Sequence, residues 1–76
     1  MASSIKVYPN PTSNMLTIDA DVPIKKIEVF SILGKKVKEL NENFERISLF
    51  DMTEGIYLVK IYSDNAYVIK KIIKDS

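Results

Sequence analysis

The sequence has no cysteine and no histidine among its 76 residues. Without cysteine the chain cannot form a disulfide, and without either residue it cannot build the Cys/His zinc sites that stabilise many small domains. Histidine is also the side chain that most often transfers protons near neutral pH. Any catalytic chemistry would therefore have to use other side chains. The absence of cysteine is compatible with every redox compartment and does not locate the protein.

An excess of one charge and long apolar runs are missing as well. Lysine and arginine number 11 against 10 acidic residues, which gives a net charge of +1. Nucleic-acid-binding proteins usually show a strong basic excess, so we expect no nucleic-acid partner. The apolar runs are far shorter than the ~20 residues that a membrane-spanning helix needs. We therefore expect no membrane-spanning segment, and no signal peptide or lipidation motif is visible.

The composition is that of one small globular domain. Hydrophobic residues make up 46% of the chain and charged residues 28%, which argues against disorder. We interpret residues 1–4, Met-Ala-Ser-Ser, as an expression leader and expect the fold to occupy residues 5–76. The chain looks like a piece excised from a larger protein.

Period-two alternation over residues 55–62, GIYLVKIY, predicts the central strand of the fold. Tyr57, Val59 and Ile61 form its wholly apolar set, so we expect them in the core. The alternate set contains Lys60, which favours the solvent side. Gly55 opens the strand where a turn requires a residue that accepts a positive φ.

Six further runs are predicted to be strands: residues 5–8, 15–18, 24–32, 35–40, 44–50 and 66–74. Gly34 indicates a hairpin turn, and Pro9 and Pro11 indicate a rigid turn because proline cannot donate a ladder hydrogen bond. Seven short, mostly antiparallel strands with no segment of helical period are typical of an all-β sandwich. We expect one such sandwich and no internal domain boundary.

Alternation also predicts which side chains of these strands face the core: Leu16, Ile18, Ile27, Val29, Val37, Ile47 and Leu49. The last strand is harder to orient because both of its alternating sets contain lysines. A β-bulge near Lys70 and Lys71 would let Val68 and Ile73 both face inward.

The spacing Asp51-x-x-x-Gly55-x-Tyr57 has the form of a tyrosine corner. In that motif a tyrosine near the start of a strand donates a hydrogen bond to the backbone a few residues upstream. The alternative, in which Tyr57 is only a core aromatic residue, stays open at this stage.

No arrangement of residues predicts catalysis. The carboxylates lie mostly in loops or beside lysines, and the hydroxyl side chains have no base to activate them. Asp19 and Asp21 could share a calcium ion, but two acids fall short of a coordination shell, so a polar turn is favoured. Tyr8, Tyr62 and Tyr67 could form an aromatic platform for sugars, although outward tyrosine is common on sheets. We predict no enzymatic activity, no cofactor and no metal site.

Three blocks in order carry a family resemblance: VYPNPTSNMLTI at residues 7–18, IKKIEVFSILGKKVKEL at residues 24–40, and residues 51–74, which run from DMTEGIYLVKI through KIIK. Together they resemble the type A C-terminal sorting domain of the type IX (Por) secretion system of Bacteroidetes. The positions that match the family's motifs are Tyr8, Pro9, Asn10, Pro11, Asn14, Gly34, Lys35, Val37, Gly55, Tyr57, Val59, Lys60, Lys71 and Lys74.

The resemblance implies an Ig-like β-sandwich at the C-terminus of a larger secreted protein, with a cargo domain on its N-terminal side. The cargo would cross the periplasm and the outer membrane, with the translocon or its shuttle recognising the sorting domain. A sortase-like peptidase would then cut upstream of the domain and leave the cargo secreted or on the cell surface. The cut would lie before Ile5, so no cleavage residue is assigned.

Several alternatives stay open from the sequence. Residues 67–74 could be read by β-augmentation with Lys70, Lys71 and Lys74 as a basic surface, or these lysines could only protect an edge strand from aggregation. An unprotected end strand also makes a strand-exchanged dimer an option. The rival functions are a carbohydrate-binding or adhesive module of a surface protein and a structural spacer. The receptor could recognise either the folded sandwich or an extended peptide.

Overall fold

A computed structural model describes residues 4–12 and 14–75 and contains seven strands in this part of the chain. In chain order they are β1 (Ile5–Tyr8), β2 (Met15–Ala20), β3 (Lys26–Ser31), β4 (Lys36–Leu40), β5 (Arg46–Ser48), β6 (Gly55–Tyr62) and β7 (Tyr67–Lys74). The described residues contain no helix, which confirms the predicted all-β class.

The strands form two sheets that pack face to face. One sheet has three strands in the order β1-β2-β5, and the other has four in the order β4-β3-β6-β7. Every strand pair is antiparallel. The chain crosses from one sheet to the other after β2, after β4 and after β5, as it does in Ig-like sandwiches. The predicted Ig-like sandwich is therefore confirmed.

Alternate side chains from the two sheets fill the space between them. In the four-stranded sheet Ile27 lies opposite Ile61 and Val29 opposite Val59, and all four are fully buried. The three-stranded sheet and its flanks contribute Ile5, Leu16, Ile18, Ile47 and Leu49, and the four-stranded sheet also contributes Tyr57 and Ile72. The inward positions predicted for β2, β3, β5 and β6 are thus confirmed.

The prediction that Val37 faces the core is wrong. The register between β3 and β4 shifts, because Val29 pairs with Lys38 whereas Phe30 pairs with Lys36. Val37 is the extra residue of this bulge and is 41% exposed. Leu40, opposite the core residue Ile27, is the partly buried apolar residue of β4 that packs on the core.

The predicted bulge in the last strand is also wrong. β7 pairs with β6 without a register shift, so Ile72 lies opposite Tyr57 and is buried while Ile73 is exposed. Lys70 and Lys74 therefore share the core side of the sheet with Ile72. The aliphatic part of a lysine side chain can pack along apolar surface while its ammonium group reaches polar surroundings. Lysines can therefore occupy the core side of β7 without a bulge that turns their side chains outward.

Several strands differ in length from the predictions. β3 and β5 are shorter than residues 24–32 and 44–50, and β2 extends to Ala20, whereas the prediction ended at Ile18. Single backbone hydrogen bonds continue the pairing of β5 on either side, from Leu49 to Asn14 and from Ile18 to Glu45. Residues 1–3 of the expected leader and residue 76 lie outside the described residues.

Replacing Ile61 by Ala is expected to lower the free energy of unfolding by about 2–5 kcal/mol, because it leaves a cavity between the sheets. The matched control is Ile69→Ala on the neighbouring strand, where the side chain is 54% exposed and the expected cost is below about 1 kcal/mol. Urea unfolding followed by circular dichroism measures both. Equal losses in the two variants would contradict this assignment of the core.

Candidate functional site

The N-terminal motif and the end of the last strand, 61 and 63 residues apart in sequence, meet in the structure. The Asn10 side chain donates from Nδ2 to the carbonyl of Lys71 at 3.2 Å, and its Oδ1 accepts from the backbone N–H of Ile73 at 2.9 Å. These are groups that a neighbouring strand would occupy at the edge of the sheet, and the chain continues there into a parallel bridge between Thr12 and Lys74. The side-chain amide of Asn10 thus forms the two hydrogen bonds that a residue of a neighbouring strand would form with the edge of β7.

Thr12 continues the same contact. Its N–H donates to the carbonyl of Ile73 at 2.9 Å, and its carbonyl accepts from the N–H of Asp75 at 2.7 Å. Its hydroxyl donates to the carbonyl of Met15 at 2.7 Å, and the residue is 2% exposed. We call residues 10–12 the clamp, because they hold the C-terminal half of β7 against the three-stranded sheet.

The two prolines of the motif flank Asn10, and each follows a cis peptide bond. Neither has an N–H, so neither needs a hydrogen-bond acceptor where the chain passes from β1 to the edge of β7. Asn14 lies just past the clamp, with an exposed side chain and a backbone carbonyl that accepts from Leu49. Pro9, Pro11 and Asn14 therefore contribute to the backbone conformation that leads the chain from β1 past the edge of β7 and into β2.

The clamp covers only part of the β7 edge. The outward-facing backbone groups belong to alternate residues, and the clamp occupies the carbonyl of Lys71, both groups of Ile73 and the N–H of Asp75. By the same alternation the backbone groups of Tyr67 and Ile69 and the N–H of Lys71 face outward beyond the clamp. We call residues 67–71 the open half-edge.

Three further motif residues are structural. The Tyr57 hydroxyl donates to the carbonyl of Thr53 at 2.6 Å and lies 3.3 Å from the Thr53 hydroxyl, which confirms the tyrosine corner. Gly55 has a φ of 153°, so the positive φ predicted for it is confirmed. Val59 is fully buried in the core.

The hairpin turn between β3 and β4 depends on Gly34, whose φ of 92° lies in the left-handed region that glycine accepts without strain. Its N–H donates to the carbonyl of Ser31, and the Ser31 N–H donates to the carbonyl of Lys35. Leu33 at the tip of this turn is 93% exposed. Gly34 therefore fixes a turn, and Lys35 lies exposed beside it.

The lysines of β7 differ in their surroundings. Lys71 is exposed on the outer face of the sheet, and Lys70 is half-buried on the core side. Lys74 is only 6% exposed, and its ammonium group donates to the carbonyl of Asp75 at 3.2 Å. Lys74 is therefore too buried to contribute to the basic surface that one of the two open alternatives assigned to it.

A polar cluster on the outer face of the four-stranded sheet was not predicted. Glu28 is 8% exposed and accepts a hydrogen bond from the Tyr62 hydroxyl at 2.6 Å. It also forms ion pairs with Lys36 at 3.3 Å and Lys26 at 3.6 Å. The Tyr62 hydroxyl, and then Lys36 and Lys26, hold the pKa of Glu28 below its ordinary value of 4.5 against the opposing effect of burial.

The three tyrosines considered as a sugar platform do not come together. Tyr8 belongs to β1 in the three-stranded sheet, whereas Tyr62 and Tyr67 lie 5.8 Å apart, centroid to centroid, on the other sheet. The Lys60 ammonium group lies 5.1 Å from the centre of the Tyr62 ring and 4.2 Å from that of Tyr67. A sugar that stacks on this pair would have to displace a cation–π contact from each ring.

The described residues offer no catalytic or metal-binding arrangement that the sequence missed. They contain no group of three or more acidic side chains placed to hold a metal ion. Asp21 accepts a hydrogen bond from the Ser4 N–H at 2.8 Å, which fits a polar turn. An open cleft of about 600 Å³ lies where β2 leads towards β3, and it is lined by both apolar and polar residues: Ile18, Ala20, Val22, Ile24, Asn43, Phe44, Glu45 and Arg46. In the part of the chain that the structure describes, residues 4–12 and 14–75, no helix is long and apolar enough to cross a membrane.

The fold and the clamp define a small Ig-like sandwich whose N-terminal motif is hydrogen-bonded to its own last strand. Over residues 6–75 the chain matches the family described as the secretion system C-terminal sorting domain, and it belongs to that family. The resemblance inferred from the three sequence blocks is confirmed. The chain is also similar to the ulvan lyase NLR42 of Nonlabens ulvanivorans, with 33% identity over 67 residues. That match covers 83% of this chain but 12% of the lyase, so the chain spans about an eighth of the relative's length.

Replacing Asn10 by Ala is expected to release the Ile73 amide, because its acceptor is removed. Amide hydrogen exchange followed by NMR should be faster at Ile73 and unchanged at Ile72, which faces β6. The loss of stability is expected to be about 1–2 kcal/mol, since two exposed hydrogen bonds are lost. Asn10→Asp keeps the acceptor and should keep Ile73 protected, and Asn65→Ala in an exposed turn is the control. Unchanged exchange at Ile73 in Asn10→Ala would contradict the clamp.

Replacing Tyr62 by Phe is expected to raise the pKa of Glu28 towards its ordinary value, because the main group that lowers it is removed. A carboxyl whose pKa is lowered by folding stabilises the folded state above its ordinary pKa and loses that effect as the pH falls through the folded value. The stability difference between the wild type and Tyr62→Phe should therefore be largest near neutral pH and shrink below about pH 4.5. Carbon NMR titration of Glu28 and urea unfolding at several pH values measure this, with Tyr67→Phe as the control. A difference that does not change with pH would refute it.

Proposed function

We propose that this domain is the export address of a larger protein, which it directs through the type IX outer-membrane translocon. Membership of the sorting-domain family carries this proposal. The relative adds support, because the similar segment makes up only 12% of a much longer protein whose name is that of an enzyme. The cargo of the present domain lies on its N-terminal side and has its own activity.

In this proposal the cargo crosses the periplasm and the outer membrane, and the machinery recognises the sandwich rather than the cargo. A sortase-like peptidase then cuts between the cargo and the domain, and the cargo is released or attached to the cell surface. The domain itself catalyses nothing. This agrees with the side chains near the open cleft, where Glu45 and Arg46 provide no paired carboxylates and no activated nucleophile.

The recognised element is the last strand and its surroundings. β7 lies at the edge of the four-stranded sheet, and its open half-edge carries unused backbone groups that can be recognised independently of the cargo. The other motif residues that the structure explains, in the tyrosine corner and the Gly34 turn, form internal contacts. They maintain the shape of the sandwich that presents the strand.

Deleting residues 67–76 from a periplasmic fluorescent cargo fused to this domain is expected to leave the cargo in the periplasm. The intact fusion should reach the medium or the cell surface, and the fluorescent protein without the domain should stay in the periplasm. Fluorescence of the medium, the surface and the periplasmic fraction measures this. Unimpaired secretion of the truncated fusion would defeat the proposal.

The truncation also removes Ile72 from the core, so a second variant separates recognition from folding. Ile61→Ala keeps β7 intact but weakens the sandwich. If the machinery recognises the folded domain, this fusion should be secreted less than the wild type in proportion to its unfolded fraction. Normal secretion of an Ile61→Ala fusion whose domain is shown by circular dichroism to be largely unfolded, beside failed secretion of the truncation, would assign recognition to an extended segment.

A further inference from the structure

We propose that the open half-edge binds an extended segment of a partner protein by strand addition, and that this segment carries two consecutive acidic residues at the end next to Asn10. The remaining residues of the segment are apolar or β-branched. This inference extends the proposed function, because it defines the chemistry of the segment that the domain binds. It rests on the proposed function only in taking the partner to be a component of the export machinery.

The length of the site follows from the clamp. Asn10 already occupies the carbonyl of Lys71, and Thr12 and Asn10 occupy the groups of Ile73. A strand that adds to β7 must therefore end at Asn10 and can pair only with residues 67–71, about 16 Å of strand. The clamp thus sets the position of the added strand along β7.

The side chains of the open half-edge define what the added strand would carry. On the outer face Tyr67 and Ile69 are more than half exposed, and both are apolar or aromatic. On the core side Val68 is partly buried and packs on the core. The two lysines, Lys70 and Lys71, lie together at the clamp end with one on each face of the sheet. A matching strand would therefore be apolar opposite the first three residues and charged on both faces next to the clamp.

The ion pairs within the domain indicate that the charged residues of the added strand should be acidic. The carboxylates of Glu28, Glu39 and Asp51 pair with lysines of β3 and β4, and Asp64 pairs with Lys25. Among the described residues no ion pair uses Lys70 or Lys71. Acidic side chains on both faces of the added strand would supply the missing partners.

A second copy of this domain fits the same edge less well. Residues 67–71, YVIKK, contain two lysines and no acidic residue. Neither pairing of two such edges supplies a carboxylate: a parallel pair would place lysine opposite lysine, which opposes pairing, and an antiparallel pair would place the lysines opposite Tyr67 and Val68. This favours a different protein as the occupant.

The test uses the nitrogen-15-labelled domain and synthetic peptides, because it needs no knowledge of the natural partner. The antiparallel probe is acetyl-Glu-Glu-Val-Thr-Val-amide, and the parallel probe is acetyl-Val-Thr-Val-Glu-Glu-amide. The matched controls replace both glutamates by lysine. Binding of either acidic probe should shift the amide resonances of Tyr67, Ile69 and Lys71 in NMR spectra and leave those of β4, the opposite edge of the sheet, unchanged.

The double variant Lys70→Glu/Lys71→Glu tests the charges. Its affinity for the acidic probe should fall about 2- to 20-fold, as expected for the loss of two exposed ion pairs, and it should bind the lysine probe better than the wild type does. Asn10→Ala opens only the first part of the clamp, the carbonyl of Lys71 and the N–H of Ile73, and should extend the shifted amides to Ile73 when a longer acidic probe is added.

Absence of binding by both acidic probes up to about 1 mM would overturn the inference, and equal binding of the lysine probes would overturn its charge requirement. Self-association of the free domain through the same amides, detected by sedimentation and by concentration-dependent shifts, would replace the partner with a second copy. These outcomes are distinguishable from failure of the proposed function, because secretion of the truncated fusion is measured separately.

Discussion

The packing of alternate side chains from β3 and β6 against the three-stranded sheet is the interaction on which the rest of the structure depends. Ile27 and Val29 face Ile61 and Val59 across one strand pair, and all four are fully buried. A chain without cysteine or histidine has no disulfide or Cys/His zinc site to add to this burial. The hairpin turn at Gly34, the tyrosine corner and the clamp all attach to elements that this core holds in place.

The clamp gives the N-terminal motif a structural role that is separate from the core. An asparagine between two prolines supplies one donor and one acceptor, the two groups that a strand edge needs at a single position. This arrangement closes half of the β7 edge without another strand. The result is a sheet edge with a defined boundary, which limits unspecific pairing along its covered half and leaves the other half for recognition.

The β-sandwich and most of its core could be predicted from the sequence, because inward and outward side chains alternate clearly in β2, β3, β5 and β6. The predictions failed where the alternation depends on a neighbour. Val37 faces outward because the register of β4 shifts against β3, and Ile73 faces outward because β7 follows β6 without a bulge. Periodicity within one strand carries no information about the register between strands.

The candidate site was only partly predictable for the same reason. The family motifs identified Asn10 and Lys71 as matching positions, but nothing local indicates that they touch. Glu28 was overlooked because its partners Tyr62 and Lys36 come from two other strands. An alternating Lys-Ile-Glu-Val pattern predicts an outward carboxylate, and only the assembled sheet shows that two lysines and a phenol cover it.

The clamp also has a consequence for the order in which the domain can form. A chain that leaves a ribosome or a narrow pore N-terminus first releases Asn10 early and Ile73 only 63 residues later. Until then Asn10 has no strand to hold, and β6 has no neighbour on the side that β7 will occupy. The sandwich therefore closes only when nearly all of it is in one compartment, so a polypeptide whose synthesis stops early carries no finished address.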